Sequence, residues 1–211
     1  MEEISMSYND QFLSLNAAGN ILNTVGNIGK KPRKEISEAW GAIKQIRNIC
    51  LKNKDKEYSL VDLCSGNALV PVTAVHLFKN IISAIAVDKL PRKRNWETTD
   101  DFMYMEKDIF DIDTDQFVSP TILTSIHCCG ELAEQVIKIF NTSEHIEHLV
   151  LMPCCRGEIS NPFLQFLKNH GNRDLAWISK LFLLCHGKTS VYRDRFILSP
   201  KDYILISKKE A

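Results

Sequence analysis

The residues able to do chemistry in this chain sit at the ends of apolar runs. Asp62 lies in the run Ser59–Leu63 and is followed by the small-residue turn Cys64-Ser65-Gly66-Asn67-Ala68. Asp88 closes Ile81–Val87, 22 positions after Gly66. An acid at that distance, at the tip of a second strand, can accept two ribose hydroxyls. A capping Asp after a strand is the simpler alternative, and the pairing with Gly66 favours the ribose role. Asp108 and Ile109 close a third run, where a carboxylate can accept an adenine amino group and an apolar side chain can cover the ring. His127-Cys128-Cys129-Gly130 follows a fourth run, and Pro153-Cys154-Cys155-Arg156-Gly157 a fifth.

The turn after Asp62 discriminates between cofactors. A dinucleotide fingerprint needs G-x-G-x-x-G, and here those slots read Cys64, Gly66 and Leu69. An acid followed by a looser turn looks like motif I of the S-adenosylmethionine (SAM) methyltransferases, with Cys64 in place of its first glycine and Ala68 in place of its third. Gly66 lets the backbone approach a ligand at positive φ. Amides at the start of the following helix face the same crevice.

Three readings compete for the cysteine pairs. The first is small, soft side chains that let strand ends pack beside a ligand, and this is favoured. The second is a thiolate nucleophile. The third is a metal set drawn from Cys128, Cys129, Cys154, Cys155 and His127. Adjacent cysteines tend to point apart and no C-x-x-C occurs, so no metal ligands are assigned.

The elements that must position these residues follow from periodicity. Ile36, Ala39, Trp40, Ile43, Ile46, Ile49 and Cys50 recur at helical spacing over Glu35 to about Leu51. A crossover helix is expected over Ala68–Phe78, with Pro71 tolerated in its first turn. The continuous apolar run at 81–87 reads as a strand buried on both faces; 102–110 reads as a strand and its exit, and 121–126 and 148–152 as two further strands. Helices follow at 131–140, after Asn161-Pro162, and over Asp174–His186. Phe196–Leu198 and Tyr203–Ser207 are expected to close the sheet as an antiparallel hairpin turning at Pro200–Asp202. The fold class is α/β, with a mixed seven-stranded sheet, helices on both faces and an antiparallel C-terminal strand. Residues 1–57 are read as an N-terminal segment with one amphipathic helix, part of the same unit as the domain at 58–211. Residues 1–29 are either loosely ordered or a lid.

Length and composition narrow the classes. With 211 residues and 45% hydrophobic content, the chain suits one α/β domain with a real core. Its formal net charge is zero, so bulk electrostatics do not announce a nucleic-acid binder. No apolar run approaches a membrane span, and the acidic Met1-Glu2-Glu3 start does not open a signal peptide. Seven cysteines, an odd count with two adjacent pairs, fit a reduced cytoplasmic setting better than a disulfide framework. Two local basic runs stand out, Lys30, Lys31, Arg33 and Lys34, then Lys89, Arg92, Lys93 and Arg94. Each reads first as a solvated surface and second as a contact for an anionic substrate.

The order Asp-Leu-Cys-Ser-Gly-Asn, His-Cys-Cys-Gly-Glu-Leu, Pro-Cys-Cys-Arg-Gly resembles a family of class I SAM methyltransferase domains. Its members include methyltransferase-like proteins and the methyltransferase segment of glutathione-S-transferase-C-terminal-domain proteins. The fold implied is Rossmann-like. The ending Leu198–Ile206 is similar to S-P-K-N-x-L-I-I closures seen there, and the tRNA acceptor-stem 2′-O-methyltransferases are more distant relatives. The resemblance implies that SAM is surrounded by Asp62, Cys64, Gly66, Asn67, Asp88, Asp108, Ile109 and His127. His127 is also the candidate general base. The expected reaction is methyl transfer to an O or N nucleophile, with RNA preferred over a small molecule and reached through Lys30, Lys31, Arg33, Arg92, Lys93 and Arg94. Ala68 and Glu131 depart from the family's small residues. That keeps open a non-catalytic methyltransferase-fold module with a protein partner, and a metal- or thiol-dependent enzyme built on the cysteine rim.

Overall fold

The computed structural model describes residues 6–117 and 120–210. The acidic start at Met1–Glu3 lies outside the described residues. Seven strands form one sheet: β1 (Tyr58–Leu63), β2 (Ile81–Asp88), β3 (Phe102–Glu106), β4 (Thr121–Ser125), β5 (Ile146–Leu151), β6 (Lys188–Arg193) and β7 (Tyr203–Lys208). Their order is β3-β2-β1-β4-β5-β7-β6. The first five run parallel, β7 is antiparallel to β5, and β6 is antiparallel to β7. The strand order reverses between β1 and β4, which opens a crevice beyond their carboxyl ends.

Burial on both faces explains the apolar runs of β1, β4 and β5, whereas β3, at the sheet edge, has no buried residue. Leu60, Ile122 and Val150 enter one core with α1 (Tyr8–Leu13), α2 (Ala18–Val25), α3 (Pro32–Lys52) and α4 (Leu69–Leu77). Val61, Leu63, Leu123, Leu149 and Leu151 enter the other, under α5 (Glu131–Thr142), α6 (Pro162–Asn169) and α7 (Arg173–Leu184). Alternate residues of each strand thus serve opposite layers. The seven apolar positions spaced along α3 are all buried. Asn80 turns the chain before β2, and its amide donates to the carbonyls of Cys50, Asn53 and Lys56 at 3.3–3.4 Å. It thereby fixes the end of α3 against the entry to β1.

Two expectations are corrected. Among the described residues up to 57 there are three helices, not one. α1 and α2 have only six and eight residues, too few for a periodic pattern to stand out. They are held by tertiary contacts. The Tyr8 hydroxyl donates to Asp194 at 2.6 Å, Phe12 meets the Trp40 ring edge-on, and Thr24 shares hydrogen bonds with Thr98 and Thr99. The second correction concerns the terminal hairpin. Its first strand is Lys188–Arg193, not Phe196–Leu198. Lys188–Arg193 is a half-exposed edge strand, so its mixed polarity disguises it. Phe196–Leu198 instead belongs to the turn. Asp194 accepts the Phe196 amide, Ser37 Oγ accepts the Leu198 amide, and Ile197 plugs the space left by Gly41 on α3.

His148 on β5 is buried, packs edge-on against Tyr58, and burial pushes its pKa down to about 4. A base depressed in the folded state contributes stability that is present above its ordinary pKa of 6.5 and is lost as pH falls through 4. His148→Phe is expected to flatten this acid limb. Wild type should lose up to about 3 kcal/mol more than the variant between pH 7 and pH 4, read by urea unfolding at each pH. Parallel curves for the two proteins would refute the assignment.

Candidate active site

The loop joining β1 to α4 forms the floor of the crevice. It is held from below by Asp62, which is 1% exposed and accepts hydrogen bonds from Ser65 Oγ and, at 2.6 Å, from Thr124 Oγ1. Burial raises the Asp62 pKa to about 6 against the opposing pull of those hydroxyls. It is held from above by Asp88, which accepts the Gly66 amide at 2.8 Å and the Leu90 amide at 2.9 Å. Between these clamps Cys64, Gly66 and Ala68 all adopt left-handed backbone, at φ 57°, 56° and 57°. The two non-glycine residues therefore keep the conformation that glycine adopts freely. A side chain at Gly66 would project into space with no protein atom within 4 Å.

A cavity of about 490 Å³ lies over this loop, at the carboxyl ends of β1 to β4. Gly66 and Cys64 form its floor, Asp88 stands at the tip of β2, Asp108 and Ile109 follow β3, and His127 follows β4. Six of the eight expected site residues therefore converge. Asp62 and Asn67 do not line the cavity; they shape its floor. Asn67 accepts the Leu69 amide at 3.1 Å and donates to the Ile28 carbonyl at 3.3 Å, so it ties the loop to the N-terminal segment. Asp108 accepts the Phe110 amide, which leaves its other oxygen free of that turn. Lys89, Lys107, Phe110, Glu131 and Leu132 also line the cavity. Their positions beside the strand ends were the signal available for them.

The sequence reading missed the partners of His127. Its Nε2 lies 3.4 Å from Glu35 and 3.5 Å from Glu38, both from the first turns of α3. Glu38 is 1% exposed and is also paired to Lys34 at 2.9 Å. The facing His127 imidazole holds the Glu35 carboxyl below its ordinary range, against the effect of burial. No spacing rule connects residues so far apart; only the docking of α3 on the sheet does.

The cysteines divide. Cys128 is fully buried in the core under α5. Cys129 turns to the cavity rim and meets Cys154 and Cys155. Burial pushes the Cys64 thiol up to about 12 and raises Cys128, Cys129 and Cys154 as well. Protonated thiols are poor nucleophiles, which weighs against the thiolate-nucleophile reading.

The second basic run touches the stretch ahead of the first. Arg94 reaches the Asn27 carbonyl and packs on Gly26, just before Lys30, Lys31 and Arg33. The second run is braced by Trp96, which stacks on Tyr104 at 4.9 Å and donates to the Arg92 carbonyl.

A sequence model described as a methyltransferase domain matches residues 30–162, well over half of the chain. The chain belongs to this methyltransferase-domain family. Human probable methyltransferase-like protein 25 is 22% identical over 146 residues, covering 65% of this chain. The match takes in 23% of that relative, so the chain spans about a quarter of its length. Two solved structures share the fold across nearly the whole of both chains. Magnesium protoporphyrin IX methyltransferase (ChlM) of Synechocystis PCC 6803, with bound SAM, superposes with a TM-score of 0.54 at 9% identity, covering 99% of this chain and 100% of its own. Thermoplasma acidophilum 1320 gives 0.53 at 12% identity, covering 98% and 99%. The sheet is thus the Rossmann-like sheet of the class I methyltransferases.

The left-handed backbone at Ala68 is directly testable. Ala68→Gly should leave stability within about 0.5 kcal/mol of wild type, because relief of strain offsets the lost methyl packing. Ala68→Val should cost at least about 2 kcal/mol, since a β-branched side chain in this conformation is strained and the site is closed. Denaturant melts that rank Val above Gly would contradict this geometry.

Proposed function

We propose that the cavity binds SAM and that the chain is a SAM-dependent methyltransferase. The observation that carries this reading is the convergence of Asp88, Asp108 and Ile109 over a left-handed loop at the point where the strand order reverses. Asp88 spends one lone pair of each oxygen on a backbone amide and keeps two for ribose hydroxyls. Asp108 suits the adenine amino group, and Ile109 with Phe110 suits the ring. The open space over Gly66 suits close approach of a ligand to the backbone. Bound there, SAM would supply an electrophilic methyl group. The chain's own part is to hold the acceptor in line with that methyl. We assign to His127, after the end of β4, the acceptance of the acceptor's proton, with Glu35 and Glu38, 3.4 and 3.5 Å from its Nε2, as positioning residues. The motifs D-x-C-S-G, H-x-C-G and P-C-C support the methyltransferase-like and glutathione-S-transferase-C-terminal-domain branch of the family.

An O or N acceptor on RNA is the substrate class we favour. Support comes from the second basic run, Lys89, Arg92, Lys93 and Arg94: Lys89 lines the cavity, and Arg94 reaches the Asn27 carbonyl, just ahead of Lys30 and Lys31. A neutral chain with this local patch fits electrostatic capture of a phosphate backbone. The expected setting is cytoplasmic; among the described residues no helix is long and apolar enough to cross a membrane.

Two measurements test this. Calorimetric titration with SAM and S-adenosylhomocysteine should give micromolar binding, weakened at least about tenfold by Asp88→Ala and by Phe110→Ala. Phe110 is 51% exposed and holds no part of the fold, so its variant separates ligand contact from loop damage. Absence of heat or thermal shift with either ligand would reject the enzyme reading in favour of a non-catalytic module. RNA binding, followed by filter retention, should fall steeply with salt and drop several-fold in Lys31→Glu and in Lys93→Glu. Retention unaffected by either charge reversal would remove RNA as the substrate class.

A further inference from the structure

The methyl-transfer reading leaves unused a sulfur cluster at the cavity rim. β4 and β5 run parallel and adjacent, so their exit loops leave side by side. A lone bridge between Cys129 and Cys155 extends the pairing past the strand ends. Cys128 and Cys129 point apart as strand neighbours should, the first into the core. Cys154 and Cys155 do not. β5 ends at Leu151, Pro153 interrupts the ladder, and the loop curls so that both sulfurs face Cys129. Cys129 and Cys154 Sγ are 2.7 Å apart, Cys154 and Cys155 Sγ are 3.7 Å apart, and all three lie within 4.8 Å of one another.

The surroundings offer these thiols little. Cys129 and Cys154 both donate to the single carbonyl of His127, at 3.7 and 3.2 Å. Sulfurs on one tetrahedral zinc, at a Zn–S distance of about 2.3 Å, stand about 3.8 Å apart; the Cys154–Cys155 pair has this spacing at 3.7 Å, and the Cys129–Cys154 pair must open from 2.7 Å by about 1 Å to reach it. Soft thiolates select zinc-class ions over magnesium or calcium. Among the described residues no fourth His, Cys, Asp or Glu joins the three.

We propose that Cys129, Cys154 and Cys155 form a binding site for one thiophilic d10 cation of the zinc class, with its fourth position open. Binding converts three thiols to thiolates and releases three protons. The product is a tris-thiolate centre of net charge −1 beside Arg156. Three protein ligands and one exchangeable position are the pattern of a reactive zinc rather than a closed structural one. Cys129 also lines the cavity, so the ion borders the space assigned to the ligand. The site stands on the sulfur geometry and does not depend on what the cavity binds.

The test uses the full chain, untagged, purified anaerobically without chelator and titrated with Zn²⁺ and Co²⁺. One equivalent should bind, and the cobalt form should show thiolate-to-metal charge transfer with a tetrahedral d–d envelope. Cys129→Ser, Cys154→Ser and Cys155→Ser should each weaken affinity at least about tenfold. Cys50→Ser and Cys185→Ser, which lie elsewhere, should bind as wild type. Cys155 is exposed, so its variant should fold, and zinc should raise the melting temperature of wild type but not of Cys155→Ser. Failure of the reduced wild type to bind, or unchanged affinity in Cys155→Ser, would overturn the proposal. So would a Cys129–Cys154 disulfide in the anaerobic protein.

Discussion

The structure depends on two carboxylates that clamp one loop. Asp62 sits beneath the β1–α4 turn and engages Ser65 and Thr124; Asp88 sits above it and engages the amides of Gly66 and Leu90. Between them the backbone takes three left-handed residues in five, two of which are not glycine. Conformations of that kind cost about 1–2 kcal/mol each and persist only where the surroundings determine them. The buried Asp62 illustrates the tension. Burial alone would keep it neutral, and the two hydroxyls draw it back toward ionisation.

The N-terminal segment completes this arrangement. α1 and α2 pack on α3 and α4, and the Ile28 carbonyl meets Asn67 on the clamped loop. The same docking carries the first turns of α3 to the end of β4, where Glu35 and Glu38 face His127. It also brings the stretch ahead of α3 against Arg94. One packing event therefore supplies the floor brace and the histidine's acidic partners. The described part of this segment is neither loose nor a detached lid. It is part of the core, with Tyr8, Phe12, Ile21 and Val25 all buried.

Much of the fold was legible because strands buried on both faces leave continuous apolar runs, and a long helix leaves a repeating stripe. α3, β1, β4 and β5 are cases of this, whereas β3 lies at the sheet edge and has no buried residue. The misreadings share one cause, the absence of a periodic signal. α1 and α2 are short, and Lys188–Arg193 exposes one face at the sheet edge. Phe196–Leu198 is apolar because Ile197 fills a hole beside Gly41, and not because it pairs with a strand. Local composition reports burial, and burial alone does not say which element is buried.

The sequence by itself determined the parallel sheet, its antiparallel close, and the residues that gather at its carboxyl edge. A strand's last residue must lie at that edge whatever surrounds it, which is why Asp88, Asp108, Ile109 and His127 could be placed. Tertiary structure alone decided what each acid does there: that Asp62 and Asn67 brace the floor and do not line the cavity, and that Glu35 and Glu38 stand behind His127. It also decided that Cys154 and Cys155 turn the same way toward Cys129. The physical reason is that hydrogen bonding and burial are settled by neighbours distant in the chain, and no periodicity records them.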